Sequence, residues 1–127
     1  MEDRSNNDPM RFEDLVAWRE ARALTLAIYE LTRREPLCRD FNLVGQIRSA
    51  SVSIMNNLAE GWESLHPAEK ISFYNYARRS CGEVRSMSYV LLDNKYIGET
   101  EWQDVYDRCV KVGKLISGLI RSTQKRE

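Results

Sequence analysis

The groups that could do chemistry in this 127-residue chain are few, and their spacing is unhelpful to catalysis. His66 is the single histidine, next to Pro67. Carboxylate-bridged metal pairs in helical bundles need Glu-x-x-His motifs projecting inward, and the sequence contains none. Without partner ligands, His66 reads as a structural or capping residue at a helix start rather than a metal ligand. Ser53 or Ser80 can be paired on paper with Glu60 or Glu83, but a serine needs a stronger base than an unassisted carboxylate. These serines read instead as small residues that let helices approach and that bond to the preceding turn. Val112-Gly113-Lys114 lacks the first glycine and the Ser/Thr of a phosphate-cradling loop. The three cysteines, Cys38, Cys81 and Cys109, are odd in number and without Cys-x-x-Cys spacing, which argues against a disulfide framework or a zinc site. The expectation is a non-enzymatic protein with no metal, cofactor, catalytic residue or small-molecule substrate.

Two other residue sets remain. Gln46, Ser49, Ser53, Asn56 and Glu60 form a polar stripe beside an apolar one (Leu43, Ile47, Ala50, Ile54, Asn57), and almost no charge lies between Arg48 and Glu60. A helix with an uncharged polar flank suggests a wet groove or a subunit contact. Gln46, Arg48, Ser53, Asn57, Glu60 and Glu83 are therefore assigned to a structural or interface network. Asn57, Glu60 and Glu83 are its candidate buried polar groups, and Arg48 or Arg79 the candidate partners of the carboxylates, because a buried charge needs pairing. The second set is basic. Lys111, Lys114, Arg121 and Lys125 share one side of the last helix; Arg78, Arg79 and Arg85 lie along the third; Arg33, Arg34 and Arg39 flank the first connection. Such patches can contact phosphates. With 19 basic and 19 acidic residues the formal net charge is zero, so the plainer reading is a solvated, balanced face. Trp18 and Trp102 fall on or beside apolar seams, so no stacking platform for single strands is evident.

Four helices must position these residues. Ala17, Ala21, Leu24, Ile28 and Leu31 recur at spacings of four and three, predicting a first helix from about Glu13 that ends before Pro36. Pro36, Leu37 and Phe41 are expected to tuck under the end of the bundle. A second helix, capped by Asp40 or Asn42, runs to Gly61, which suits a left-handed C-terminal cap. A third starts near Pro67; Phe73, Ala77, Ser80, Val84, Met87, Leu91 and Asn94 carry its seam, flanked by Tyr74, Cys81 and Ser88, and Gly98 stops it. Thr100 and Gln103 fit a capping box for the last helix, whose seam is Trp102, Val105, Cys109, Val112, Ile116 and Leu119. Gly113 and Gly118 within it hint at close backbone approach, tolerated surface glycines being the plainer reading.

With no alternating strand pattern, the fold class is all-α, an antiparallel up-down-up-down four-helix bundle. It occupies residues 12–123, between a flexible N-terminal tail (1–11) and a C-terminal tail (124–127). Hydrophobic residues at 43% and charged residues at 30% fit one globular domain. No run approaches the ~18 apolar residues of a membrane span, and the first residues hold no apolar segment that could act as a secretory signal. A cytoplasmic location and no membrane partner are expected.

Several of these residues together resemble a known family. Gln46-Ile47-Arg48, Ser53-Ile54 and Asn57-Leu58-Ala59-Glu60-Gly61 are similar to the signature of the four-helix-bundle proteins encoded in intervening sequences of bacterial 23S ribosomal RNA genes. Phe12, Leu15 and Trp18 match that family's F-x-x-L-x-x-W opening. Phe73, Ala77, Ser80 and Glu83 match its third helix, and Val112-Gly113-Lys114-Leu115 through Leu119-Ile120 its last. The chain departs at Ser49, where a second basic residue is common, and at Met55, where a proline often kinks the helix. The resemblance implies a compact bundle that assembles into a ring, most simply a homopentamer, similar in fold to accessory proteins of diversity-generating retroelements, which work with a reverse transcriptase and RNA. Two readings follow: a self-assembling structural protein whose biochemical role is not established, or a nucleic-acid-binding accessory whose oligomer gathers Arg78, Arg79, Arg85, Lys111, Lys114, Arg121 and Lys125 into basic surfaces.

Overall fold

The computed structural model describes residues 9–126. Its elements are a 3-10 turn over Phe12–Asp14, helix α1 (Val16–Thr32), a 3-10 turn over Leu37–Arg39, and helices α2 (Phe41–Glu63), α3 (Pro67–Asp93) and α4 (Glu99–Lys125). No strand occurs among the described residues. Each helix packs on two neighbours in a closed cycle, α1 on α2, α2 on α3, α3 on α4 and α4 on α1. Of the tail expected over residues 1–11, residues 1–8 lie outside the described residues. At the other end Gln124 and Lys125 continue α4, and residue 127 lies outside.

The core follows the apolar spacing closely. Ala17, Ala21, Leu24, Ile28 and Leu31 of α1 are buried, as are Ile47, Ala50, Ile54 and Leu58 of α2 and Val105, Cys109, Val112 and Ile116 of α4. On α2 the seam drifts by one position, because 3.6 residues per turn does not divide a seven-residue repeat. Leu58 takes the buried place and Asn57 is only half-buried. On α3 the same drift brings the flanking line inward. Tyr74, Cys81 and Ser88 are buried, whereas Phe73 and Met87 sit at the margin and Asn94 lies beyond the helix end. α2 runs unbroken across Met55, so the kink that a proline would cause is absent.

The helix ends correct four expectations. Gly61 is inside α2, not a left-handed cap, and no glycine has a positive φ. Its lack of a side chain serves packing: a Cβ there would lie 2.7 Å from Cδ1 of Tyr74 and 3.2 Å from Cβ of Phe73. Gly98 does not stop α3. That helix ends at Asp93, and Lys95 takes the left-handed conformation (φ 59°) with its N–H donating to Leu92 and the Tyr96 N–H to Leu91. Gly98 is instead the N-cap of α4, and its N–H donates to the Glu101 carboxylate, so the reciprocal pair expected of Thr100 and Gln103 is not formed. Phe41 is 80% exposed rather than tucked under the bundle, since helix α2 begins at that residue and turns its ring outward; Leu37 is the connection residue that is buried. Gly113 has no atom within 4 Å of where a Cβ would stand, so the close approach belongs to Gly61 and not to the last helix.

Asp40 caps α2 by accepting from the Leu43 N–H at 3.3 Å, and its other oxygen accepts from the Tyr96 hydroxyl at 3.0 Å. That second bond ties the α1–α2 connection to the α3–α4 turn, and it pushes the Tyr96 hydroxyl pKa up, since an ionised Tyr96 would face a carboxylate. Arg34, just past α1, pairs with Glu101 in the first turn of α4. The guanidinium holds the Glu101 carboxyl below the usual carboxylate range, with the Gly98 N–H assisting. A carboxyl depressed on folding contributes stability that is present above its unfolded pKa and is lost as pH falls through its folded value. NMR titration should find Glu101 titrating low, and Arg34→Gln should move it back toward the ordinary range, the Gly98 N–H still holding it down in part. Because the pair is exposed, the accompanying loss of stability at neutral pH should not exceed about 1 kcal/mol.

Candidate functional site

The residues assigned to the polar network fall into three local arrangements. In the first, Asn57 donates through Nδ2 to the Ser53 backbone oxygen (2.9 Å) and hydroxyl (3.0 Å), and the Ser53 hydroxyl meets that of Ser80 on α3 at 2.9 Å. Small side chains at both 53 and 80 let the helices come close enough for this bond. In the second, the Arg48 Nε donates to the Thr32 hydroxyl at 2.8 Å while its guanidinium lies 4.4 Å from the centroid of the Tyr29 ring. The Thr32 hydroxyl in turn donates to the Ile28 carbonyl. Arg48 thus places a cation against the last turn of α1, where the helix dipole and unpaired carbonyls favour one. We expect Arg48→Ala to cost about 1–2 kcal/mol in thermal or denaturant unfolding. Arg48→Lys should recover less than half, because an ammonium keeps the charge and loses the planar stack.

The third arrangement corrects an expectation. Glu60 and Glu83 are exposed, and among the described residues neither is ion-paired; Arg48 is committed to Thr32 and Tyr29, and Arg79 lies over Tyr76. Both carboxylates stand on outward faces, where water solvates them and no partner is needed. Glu83 lines a shallow cleft between α2 and α3 together with Phe41, Gln46, Ser49 and Ser53; Glu60 borders a second cleft on the α1 side of the same stripe. Gln46 bonds to Asn42 one turn earlier. The stripe therefore lies open to solvent.

The basic residues are divided differently from their order in sequence. Arg78 and Arg85 on α3 and Lys114 and Arg121 on α4 line one groove between those two helices, a cleft of about 510 Å³ that contains no carboxylate. A contiguous cleft of about 590 Å³ shares Arg78, Ser117 and Arg121 and extends past Asn75 to Gln124. Each pair is seven residues apart, so two turns of helix put both of its members on the same side. Among the described residues none of the four is ion-paired; Arg78 donates only to the Asn75 side chain. The other three basic residues lie elsewhere: Arg79 against Tyr76, Lys111 3.5 Å from Glu20 of α1, and Lys125 at the end of α4 outside the groove lining.

The groove floor is apolar and closed. Cys81 and Cys109 are buried there, with the Cys81 thiol donating to the Cys109 carbonyl at 3.2 Å. The neighbouring Cys81 thiol and burial both push the Cys109 pKa up, so this thiol stays protonated. Gly82 and Gly113 face the groove from opposite walls with open space where a Cβ would be.

At one end Trp102, expected only as a seam residue, meets two rings that the sequence reading did not single out, Tyr89 and Tyr106. Tyr89 and Tyr106 meet with centroids 6.4 Å apart, each within about one ring width of Trp102 (5.2 and 5.1 Å). The Trp102 Nε1–H donates to the Ser88 hydroxyl at 3.1 Å, which fixes the indole. The signal was present in the spacing: Arg78, Gly82, Arg85 and Tyr89 follow one another at four, three and four, the same face of α3.

Among the described residues no group of three or more His, Cys, Asp and Glu side chains could hold a metal ion. His66 is exposed and is the N-cap of α3 through its backbone, with no hydrogen bond from its imidazole to the helix. Among the described residues no helix is long and apolar enough to cross a membrane.

Comparison with solved structures finds a protein from Bacteroides thetaiotaomicron described as of unknown function and from the S23 ribosomal protein family. It superposes with a TM-score of 0.77 over 84% of this chain and 96% of its own, at 19% identity, a likeness that shows the fold alone. Comparison with curated proteins gives no match. The model of the 23S rRNA-intervening sequence proteins matches residues 13–118, across all four helices. The chain belongs to the 23S rRNA-intervening sequence protein family.

Proposed function

We propose that this protein is a non-enzymatic, cytoplasmic binding protein whose α3–α4 groove holds the phosphate backbone of a nucleic acid. One observation carries this reading: Arg78, Arg85, Lys114 and Arg121 converge on a single groove with no carboxylate in its lining. Zero net charge argued for balanced, solvated faces, yet a balanced total does not prevent local segregation, and a concave surface with cations on both walls concentrates the field. The antiparallel up-down-up-down arrangement belongs to the same reading. It is supported by the order of partners across α3 and α4, where Trp102 meets Ser88 and Cys109 meets Cys81.

Fluorescence anisotropy with a short RNA at two salt concentrations tests the proposal. Four phosphate contacts give a slope of log affinity on log salt of roughly −3, so binding should weaken about 50-fold between 50 and 200 mM. No binding at low salt would dispose of it.

A second reading concerns assembly. Self-association into a ring, most simply a homopentamer, is favoured by the largely exposed polar stripe of α2, uncharged from Gln46 to Asn56, with Phe41 80% exposed at its start. Light scattering after size exclusion should then give a mass several times that of one chain, and Phe41→Asp should lower it; a monomer at micromolar concentration would remove the idea.

A further inference from the structure

We infer that the α3–α4 groove is built for a single strand, with Tyr89 as the platform on which a base stacks, and this rests on the nucleic-acid reading above. The width is the first reason. Helices in contact have axes about 8–10 Å apart, so the furrow between them admits one strand, and a duplex could touch only its rim. The length is the second. Arg78 to Arg85, and likewise Lys114 to Arg121, spans about 10.5 Å along a helix. Each interval is close to three stacked nucleotides at about 3.4 Å each, and because Cys81 lies opposite Cys109 and Ser88 opposite Trp102 the two pairs are staggered, so the cations together follow a strand beyond a single interval.

The third reason is the aromatic end. Tyr89 stands one turn beyond Arg85 on the same face of α3, and Tyr106 one turn before Val110, which lines the groove from α4. The two rings meet across the helices and both contact Trp102, which Ser88 holds in place. Tyr89 is nevertheless 45% exposed, so part of its ring remains free for a base. A strand whose phosphates follow the four cations arrives at this ring with its next base unpaired. Cations along a groove with an aromatic terminus are the combination that sequence-tolerant single-strand binders use. Gly82 and Gly113 leave the middle of the groove unobstructed, which lets the strand lie close to the buried floor.

The test compares three probes at low salt: a ten-nucleotide single-stranded RNA of mixed sequence, the same RNA annealed to its complement, and inorganic polyphosphate. The single strand should bind at least tenfold more tightly than the duplex. Tyr89→Ala should weaken the single strand about tenfold and leave polyphosphate unchanged, since polyphosphate has no base to stack. Tyr89→Phe should bind like the parent, which guards against a folding artefact. Equal or tighter binding of the duplex overturns the inference while leaving the nucleic-acid reading intact, as does an equal effect of Tyr89→Ala on polyphosphate. Failure of both RNA forms to bind overturns the nucleic-acid reading itself.

Discussion

Replacing Arg78, Arg85, Lys114 and Arg121 together by glutamine should weaken RNA binding at low salt by at least ~100-fold and flatten what remains of its salt dependence. Phosphate contacts dominate binding of this kind, so removing the cations removes most of the interaction rather than trimming it. All four side chains are exposed and free of ion pairs among the described residues, so stability should change little, within about 0.5 kcal/mol per site. A matched control keeps net charge from explaining the result. Glutamine at Arg33, Arg79, Lys111 and Lys125 makes the same change in charge outside the groove, and it should cost only a few-fold. If the two quadruple variants bind equally poorly, the groove has no special place and only overall charge matters. Equal and undiminished binding would remove the groove from the account altogether.

The largest effect on the fold itself is expected at Gly61. An alanine there puts its Cβ against the ring of Tyr74, 2.7 Å from Cδ1, and the ring is buried and cannot swing aside. Overpacking of this kind costs about 1–3 kcal/mol or more, and the better helix propensity of alanine returns at most about 1 kcal/mol. We expect a net loss near 2 kcal/mol, read as a fall in Tm of roughly 5–10 °C. Gly61→Val should be worse. Replacing Tyr74 by leucine opens the contact, so Gly61→Ala should cost clearly less in that background; the two changes share one contact and are not additive. An undiminished cost would mean that Gly61 matters for a reason other than the approach of α2 to α3. Burial also pushes the Tyr74 hydroxyl pKa up to about 12, so this tyrosine should ionise only in strongly alkaline solution.

The fold was legible because the information that determines it is local and periodic. The seam of α1 came through residue for residue; α3 begins at Pro67, near where it was expected to, and of the two caps expected for α2, Asp40 or Asn42, Asp40 forms it. Where the reading slipped, a tertiary contact had overridden a local preference. Glycine near a helix end is usually a cap, and nothing in the sequence near Gly61 reveals that Tyr74, thirteen positions on, needs the space. Gly98 was expected to stop α3, yet the helix closes earlier, with Lys95 in the left-handed conformation and the N–H groups of Lys95 and Tyr96 bonded back to its last turn. Phe41 looked like a core residue from its type alone, and only its place at the first turn of α2 exposes it.

The groove was legible only in halves. Two sets of basic residues could be read from the chain, but which members would meet depends on how α3 and α4 are turned toward each other. Arg79 lies one residue from Arg78 and about 100° around the helix, which is enough to take it out of the groove and onto Tyr76. Lys111 is three residues before Lys114 and faces α1 and Glu20 instead. The expected buried carboxylates failed for a related reason. The apolar seam predicts which residues lie inward, but Glu60 and Glu83 lie far enough from it that solvent reaches both.

The measurement closest to the central claim is an NMR titration of the labelled protein with a short single-stranded RNA at low salt. Amide shifts should gather on the two walls of the groove, at Gly82 and Arg85 on α3 and at Gly113 and Ser117 on α4, and reach Tyr89. Shifts confined to the polar face of α2, around Ser49 and Asn56, or no shifts at all, would contradict it.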